Sequence, residues 1–474
     1  MAVGDPVALK HIHVYSRPQE DGILFGWATR EGTTDALFQW DGDSWVEIFE
    51  LPYTNAIYDS VTWNSKIYFC DGKTGIWEYP VETNTICLSA VGPVVQYLLV
   101  YQDRLIGAGD SRTEAEVLAD LGIWPADSNR DRVLFTEALD FNTWSPNNFI
   151  DSRTGTGEVI SGLGVNSITS ADRGAQSQLV VFKPTAILIN DGTLGAGEQK
   201  LNIVSLVLGC PGYHTITNTP FGLMFVSKQS VCLMNTEAKE PDQIGFTIWT
   251  EINAIPEDLD NIYTDLRHQS AGIYHDNTYK ISICDGIIDT DRNTVEWWLD
   301  LRQAVFPSER NWYGPHTGDF IMQYKLFQGL LVGAEHLTML MWQLDVETKW
   351  GSMSAVNTAR TSTFVTSRLQ VPGMKEGKLD AYGLVAQMTA GVALSCSVDV
   401  DRGTSTEANV WTAPSVLGSQ GGAYKIIRPI KRPGHDAQVT VSHSHASDIE
   451  VHTLYMRARE RRRQAEKQSG STQT

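Results

Sequence analysis

A chain of 474 residues is too long for one simple core and long enough for two or three domains; its 42% hydrophobic content can fill a large interior, while 20% charged residues, 40 Gly and 14 Trp point to many turns and an all-β rather than a helical body. The net charge of −19 at pH 7 repels nucleic acid and anionic membranes. It excludes a general DNA-coating role, yet suits a channel through which DNA slides without sticking. No run of about 18 apolar residues is present, so no membrane span is expected.

Met1-Ala2-Val3-Gly4-Asp5-Pro6 has no basic region followed by an apolar run. No secretory signal is expected, and the expected site of synthesis is the cytoplasm. Strand patterns begin at Ile23–Trp27, Ala36–Trp40 and Trp45–Ile48, with a turn signal at Asp41-Gly42-Asp43. A second set covers Ile57–Trp63, Lys66–Cys70 and Gly75–Tyr79, and a third begins at Val94–Val100. One phrase recurs: an apolar run, a short polar turn, then a second run that usually ends in Gly. It occurs at Trp63–Gly72, Tyr101–Gly107, Tyr274–Ile281 and Tyr324–Gly333. Each copy predicts a tight hairpin at the centre of a small antiparallel sheet. The first two copies lie 38 residues apart, the length of one propeller blade.

Residues 110–131 interrupt the pattern, and Thr113–Asp120 reads as a short helix or an acidic loop. Strands resume over 133–190, then at Phe221–Ser227 and Ser230–Met234, and again over 268–300 and 318–346. Six or seven blade-sized units are expected, giving a β-propeller over 1–355. The insertions 110–131, 165–178 and 285–294 are its expected contact elements. From about 360 aromatics become rare, and strands such as Ala393–Val400 and Ala437–Val441 predict a C-terminal β-sandwich-like domain over 356–458. A flexible basic and polar tail is expected over 459–474. The six cysteines, Cys70, Cys87, Cys210, Cys232, Cys284 and Cys396, show no CxxC spacing. They read as small buried apolar residues, with a Cys70–Cys87 disulfide as the alternative.

The segment 133–189 has a distinctive order: Leu134-Phe135-Thr136, Asp140-Phe141-Asn142-Thr143-Trp144, Phe149-Ile150, Ile160-Ser161-Gly162-Leu163 and Leu179-Val180-Val181-Phe182. It resembles the β-propeller proteins of bacteriophage tails, above all the tail-nozzle, or head-completion and stabilisation, proteins of short-tailed phages. Gly212–Ile216 before Thr219-Pro220-Phe221-Gly222 resembles the family's next blade entry. Ser397–Gly403 followed by Ile430-Lys431-Arg432-Pro433-Gly434 resembles its C-terminal order. The resemblance covers about two-thirds of the chain and none of its motifs is catalytic. It implies a structural virion protein of the tail, made in the host cytoplasm. It implies a homo-oligomeric ring, commonly a hexamer, below the portal and its adaptor protein. Such a ring continues the conduit for genomic DNA without binding it specifically and docks a tail fibre or spike.

The chemistry-bearing residues leave alternatives open. His11-Ile12-His13 and His443-Ser444-His445 place alternate imidazoles on one strand face. With a third ligand such as Asp436, Asp448 or His452 they would suit a transition metal, and otherwise they are surface or interface histidines. Glu296, Asp300 and Glu309, or Glu257, Asp260 and Asp265, supply carboxylates of the kind that glycoside hydrolysis pairs across a sugar, though no spacing marks two of them as partners. Ser405–Trp411 reads as a hairpin. Trp297, Trp298 and Trp312 read as core packing or as a sugar-stacking surface. No GxSxG elbow, P-loop or HExxH is present. The expectation is therefore no enzyme, no cofactor, no bound metal and no catalytic residue. The one strong basic run, Arg457, Arg459, Arg461, Arg462 and Arg463, is a candidate contact for an acidic partner ring or for DNA phosphate, and Arg457 and Arg459 can still belong to a final strand. The alternative function is a propeller glycosidase or lyase, or a receptor-binding protein, acting on host-surface polysaccharide.

Overall fold

Four two-residue turns set the local geometry. In the computed structural model both central residues have positive φ at Asn64-Ser65, Gln102-Asp103, Asp276-Asn277 and Gln328-Gly329. This is the geometry whose twist matches paired strands, and it closes the predicted hairpins on Trp63↔Lys66, Tyr101↔Arg104, His275↔Thr278 and Phe327↔Leu330. The structure describes the chain outside 1–5, 17–21, 31–33, 43, 53–55, 84, 86, 89–91, 111, 113–128, 153–157, 171–173, 191–192, 196–199, 236–239, 246–247, 249–251, 253–254, 256–266, 285–291, 302–311, 318–319, 336–340, 344–350, 353–359, 366–368, 371–376, 389–392, 401–404, 413–421, 435, 446–448 and 461–474.

The chain divides into two compact units. The first is built of antiparallel sheets, each from consecutive strands. Sheet one is β1 (Pro6–Tyr15), β2 (Ile23–Arg30), β3 (Asp35–Trp40) and β4 (Trp45–Glu50). Sheet two is β5 (Asp59–Trp63), β6 (Lys66–Cys70), β7 (Trp77–Pro80) and β8 (Cys87–Leu88). Sheet three is β9 (Tyr97–Tyr101), β10 (Arg104–Ala108), β11 (Arg132–Glu137) and β12 (Asp140–Asp151). Sheet four is β13 (Gly162–Ser170), β14 (Gly174–Phe182), β15 (Ile187–Asn190) and β16 (Asn202–Ser205). Sheet five is β17 (Thr217–Thr219), β18 (Gly222–Val226), β19 (Val231–Asn235) and β20 (Asp242–Gln243). Then β21 (Ala271–His275), β22 (Thr278–Ile283) and β23 (Val295–Asp300) pair in order. β24 (Trp312–Thr317) precedes the last sheet of this unit, β25 (Ile321–Phe327), β26 (Leu330–Glu335), β27 (Met341–Gln343) and β28 (Gly351–Ser352).

The first strands of successive sheets, β1, β5, β9, β13, β17, β21 and β25, pack side by side in that order, and β25 returns to β1. The unit is therefore a β-propeller. Among the described residues it has six four-stranded blades, with β21–β23 standing between the fifth and the last. Each predicted hairpin joins the innermost strand to the second strand, so it lies at the inner edge of its sheet and not at the centre. The core is distributed: apolar clusters sit between neighbouring sheets rather than in one mass. Phe25, Trp27 and Leu37 of sheet one meet Ile67, Phe69 and Tyr79 of sheet two. Corresponding clusters join sheets two and three, three and four, and four and five. The ring closes where Leu9, Ile12, Leu24 and Phe38 pack on Met322, Phe327, Val332 and Met341. Buried ions also join neighbours. Asp35, fully buried, binds the Lys10 ammonium at 2.8 Å and accepts from Ala56 N and the Tyr58 hydroxyl of the next blade.

Several expectations are corrected. The span 133–190 is not one set of strands but the outer half of sheet three followed by the inner strands of sheet four. The interruption at 110–131 falls inside sheet three, because β10 and β11 pair across it; the helix expected at Thr113–Asp120 lies outside the described residues. The segment 165–178 is not a loop insertion. It carries β13 and β14 paired from Gly162↔Phe182 to Ser170↔Gly174, where continuous backbone pairing extends both strands through polar residues. Most of 285–294 lies outside the described residues. Cys70, Cys210, Cys232, Cys284 and Cys396 are free and buried, so Cys70 forms no disulfide with Cys87.

The second unit gathers Tyr313–Thr317 with the chain from Asn357 onward. Its strands are β29 (Arg360–Val365), β30 (Leu369–Gln370), β31 (Gly377–Met388), β32 (Ala393–Val400), β33 (Ser405–Thr412), β34 (Gly422–Gly434), β35 (Asp436–His445) and β36 (Ile449–Glu460). β24 pairs with β29, β29 with β35, β35 with β32, β32 with β33, and β30 with β35. β31 pairs with both β34 and β36. Alternate residues Leu394, Cys396 and Val398 of β32 and Val439 and Val441 of β35 are buried, the period of a strand with one covered face. Ser405–Trp411 is not a complete hairpin but one arm, β33, of the β32–β33 pair.

Candidate functional site: the hub of the propeller

The inner strands alternate, so every second side chain of β1, β5 and β25 points to the hub. His11 and His13 are two such residues, and Ser60 and Thr62 are their neighbours on β5. His11 Nε2 and the Ser60 hydroxyl share a hydrogen bond of 2.7 Å, Ser60 Oγ and His13 Nδ1 one of 2.8 Å, and His13 Nε2 and Thr62 Oγ1 one of 2.6 Å. The alternation expected of His11-Ile12-His13 is thus present, but the partners are hydroxyls of the next blade. No cluster of three His, Cys, Asp or Glu side chains able to hold a metal occurs among the described residues.

Beside them Asp59 is buried and ties three elements together. Its Oδ1 accepts from Ser60 N at 2.8 Å; its Oδ2 accepts from Leu98 N at 2.7 Å and from the Tyr213 hydroxyl at 2.6 Å. Tyr213 comes from a short 3-10 turn, Tyr213–Thr215, that enters sheet five. Glycine is required before it, since a Cβ on Gly212 would stand 2.7 Å from the Arg267 carbonyl. Thr215 locks the turn, donating to Gly212 O at 2.6 Å and accepting from Val226 N at 3.0 Å, while the Tyr279 hydroxyl donates to Thr215 O. The turn also delivers His214, whose ring lies 5.9 Å from that of His11.

Burial governs the charges here. It pushes the Asp59 carboxyl up to about 6, against the opposing pull of Leu98 N, Tyr213, Ser60 N and Lys325. It holds His13 down at about 3, helped by Lys325, and His214 at about 3, helped by Lys325 and His268. His11 is lowered by burial first and then by Lys325, His214 and His13. His268, bound to the Pro211 carbonyl at 3.0 Å, is held at about 4 by burial. Lys325 is itself lowered by burial, with Asp59 acting to raise it. At neutral pH the imidazoles are therefore uncharged.

A cavity of about 440 Å³ opens on this group, lined by the polar residues Asp59, Ser60, Tyr213, His214, Gln323 and Lys325 together with the apolar Leu99, Leu163, Val165 and Leu223. Asp59, Ser60, Tyr213, His214 and Lys325 are functional-site candidates that the sequence reading did not single out. The available signal was positional: each lies on, or one turn before, the first strand of a blade.

Other expected residues fall elsewhere. Glu296 is buried and accepts from the Trp298 indole and, at 2.8 Å, from the Tyr324 hydroxyl. Asp300 lies on the same strand, four residues away, about 13 Å along it and beyond the reach of a carboxylate pair. Glu257, Asp260, Asp265 and Glu309 lie outside the described residues. Trp297 and Trp312 are core residues, with the Trp312 indole donating to Ile244 O, so they offer no sugar-stacking surface. Trp298 instead carries the Lys280 ammonium 4.6 Å above its ring. His443 stands opposite Ser362, and His445 opposite Arg360, in the second unit. Asp436 and His452 lie on β35 and β36, and Asp448 outside the described residues. Arg457 and Arg459 lie on β36, opposite Ala381 and Lys378. That strand runs through Glu460, two residues into the expected tail, and Arg461, Arg462 and Arg463 lie outside the described residues.

No family model matches the chain, and no curated protein matches it. Among solved structures it is similar to the computationally designed Ika8 protein, at 9% identity over 71% of this chain and 83% of that one, with a TM-score of 0.38. It is similar to the extracellular domain of BT4673 from B. thetaiotaomicron, at 12% identity and a TM-score of 0.43, where the match covers 89% of this chain and 46% of that one. It is also similar to BamB from Moraxella catarrhalis, at 12% identity over 73% of this chain and 92% of that one, with a TM-score of 0.37.

Proposed function

We propose that this protein is a non-catalytic building block of a phage tail, assembling as a homo-oligomeric ring, a hexamer, that continues the DNA conduit below the portal adaptor and docks a fibre or spike. The residue order over 134–182 is the sequence basis of this reading. The observation that carries it structurally is an apolar strip on an open edge. β16 is the outermost strand of sheet four, and on it and just beyond it Ile203, Leu206 and Val207 are 53%, 52% and 67% exposed. Edge strands are normally blunted by charge, so an apolar one suits a covered interface. Ring assembly uses such a patch against a different surface of the next copy. The stiffness that a conduit needs is supplied by the Asp59 tie across the hub. In this reading the hub carboxylate is a strut, held by three donors, and not an acid or base. The strands after 356 form a β-sandwich-like appendage, and the basic run at Arg457–Arg463 meets an acidic partner ring or DNA at the conduit mouth.

Light scattering of the purified chain tests the reading. The expected result is a mass of six 52.5 kDa chains that falls to one chain in the double variant Leu206→Asp, Val207→Lys with its fold intact. A wild-type chain that stays monomeric at every concentration and in the presence of tail particles overturns it.

A further inference from the structure

We propose that the hub cavity is a binding site for a small hydroxylated monocarboxylate, a sugar acid of the uronate class. Two donors on the same face of β25 define the site. Lys325 lines the cavity and its ammonium has no hydrogen bond or ion pair among the described residues. Gln323, two residues earlier, commits its Oε1 to Ile12 N at 2.7 Å, which fixes the amide and leaves Nε2 without a hydrogen-bond partner among the described residues. Gln323 is 5% exposed, so the remaining access of that donor is to the cavity it lines. An ammonium and a fixed amide N–H₂ two residues apart on one strand match the two oxygens of a carboxylate.

Charge sets the valence. The groups facing Lys325 across the hub are Asp59 from β5, His11 and His13 from β1, and His214 from the Tyr213–Thr215 turn. Burial keeps the three imidazoles neutral. Of the three only His214 lines the cavity; it offers hydrogen-bonding atoms without positive charge and has no hydrogen bond among the described residues. Lys325 is the one cation among these groups, so it can partner a single negative charge, and the nearby Asp59 carboxylate disfavours a phosphate dianion. The remaining lining includes the polar side chains of His214 and Asn218 and the apolar ones of Leu99, Leu163 and Val165. A pyranose presents both kinds of surface, hydroxyls at its edge and C–H bonds on its face, as this mixed lining requires. Asn218 and Leu326 are exposed and mark the mouth, so the ligand enters from solvent. The inference does not depend on the ring assembly proposed above.

Titration calorimetry of the full chain with D-glucuronate, D-glucose and inorganic phosphate tests it. A ligand of this size that fits is expected to bind at about millimolar strength. Glucose, lacking the carboxylate, is expected to bind about tenfold more weakly, the worth of one charge-assisted contact, and phosphate not to bind. Lys325→Met should abolish the glucuronate heat. Should that variant fail to fold, Asn218→Asp at the exposed mouth places a negative charge beside the ligand without disturbing the core, and should weaken glucuronate about fivefold more than it weakens glucose. No glucuronate binding, equal binding of glucose or phosphate, or an Asn218→Asp variant that binds glucuronate as well as the wild type overturns the proposal.

Discussion

The hub residues make the stability of the protein depend on pH in a direction that can be worked out. Asp59 has a folded value of about 6 against an ordinary 3.8. It therefore favours the folded state at low pH, and that contribution is lost as the pH rises through 6. The buried histidines act oppositely. His11, His13 and His268 are held below the ordinary 6.5, two of them at about 3 and about 4, so the stability they confer is present above 6.5 and lost as the pH falls. Between about pH 4 and 6 the unfolded chain binds three protons on these histidines and the folded chain one on Asp59. The histidines win by two protons, and stability is expected to rise with pH by about 3 kcal/mol per unit in that window. His214, partly open to the cavity, acts in the same direction. Urea unfolding at pH 5 and pH 6 measures the slope. His13→Gln should remove about a third to a half of it, according to how fully His214 contributes, and a slope that is flat or negative in the wild type contradicts the assignment of neutral buried imidazoles. The pairing of His11 and His13 on one face was legible from their spacing alone. Their partners were not, because Ser60 is 49 residues away from His11 in the chain and Lys325 more than 300, and no local pattern encodes a contact across a closed ring.

At the scale of the element, the turns and the seams between blades carry the fold. Ser65 sits at φ 62° in the second turn position of the first hairpin. A β-branched side chain is disfavoured there, so Ser65→Val is expected to cost about 1–2 kcal/mol in equilibrium unfolding, while Ser65→Gly should be nearly neutral. Equal stabilities for the two variants would contradict the positive-φ turn. The closing seam is a sharper test. Each blade is built from consecutive strands, and the last meets the first chiefly through packed side chains. Phe38, 1% exposed, packs there with Met322 and Phe327. Phe38→Ala is expected to cost about 3–5 kcal/mol, and a loss below 1 kcal/mol would mean that the seam is not packed as described. The hairpins were readable because a polar pair between two apolar runs is a local signal. Their place at the inner edge was not, since order within a blade depends on which strand meets the neighbouring blade. The long β13–β14 hairpin escaped for a related reason. Ser167, Thr169, Ser170, Gly174 and Ala175 look like loop residues, and only continuous pairing with the opposite strand makes them a sheet.

For the whole molecule, charge is the property that composition fixed most directly, and it limits what the protein can touch. A net charge of −19 spread over a chain with 37 basic residues gives a surface that repels phosphate except where cations are locally concentrated. Within the described residues many cations are already engaged: Lys10 with Asp35, Arg112 with Asp110, Lys66 with Glu78, and Lys183 with Asp131. The proposed contact for DNA is the basic run Arg457, Arg459, Arg461, Arg462 and Arg463. The chain at about 0.15 M salt is therefore expected not to retain duplex DNA, because few phosphates are neutralised and few counterions released. Lowering the salt should raise affinity with a slope set only by that run, and removing residues 461–474 should lower the slope by the number of cations that touch phosphate. Fluorescence anisotropy of a labelled duplex across a salt series measures both. A steep slope that survives the truncation would place the DNA contact on another face and would contradict a lumen through which DNA slides by mutual repulsion.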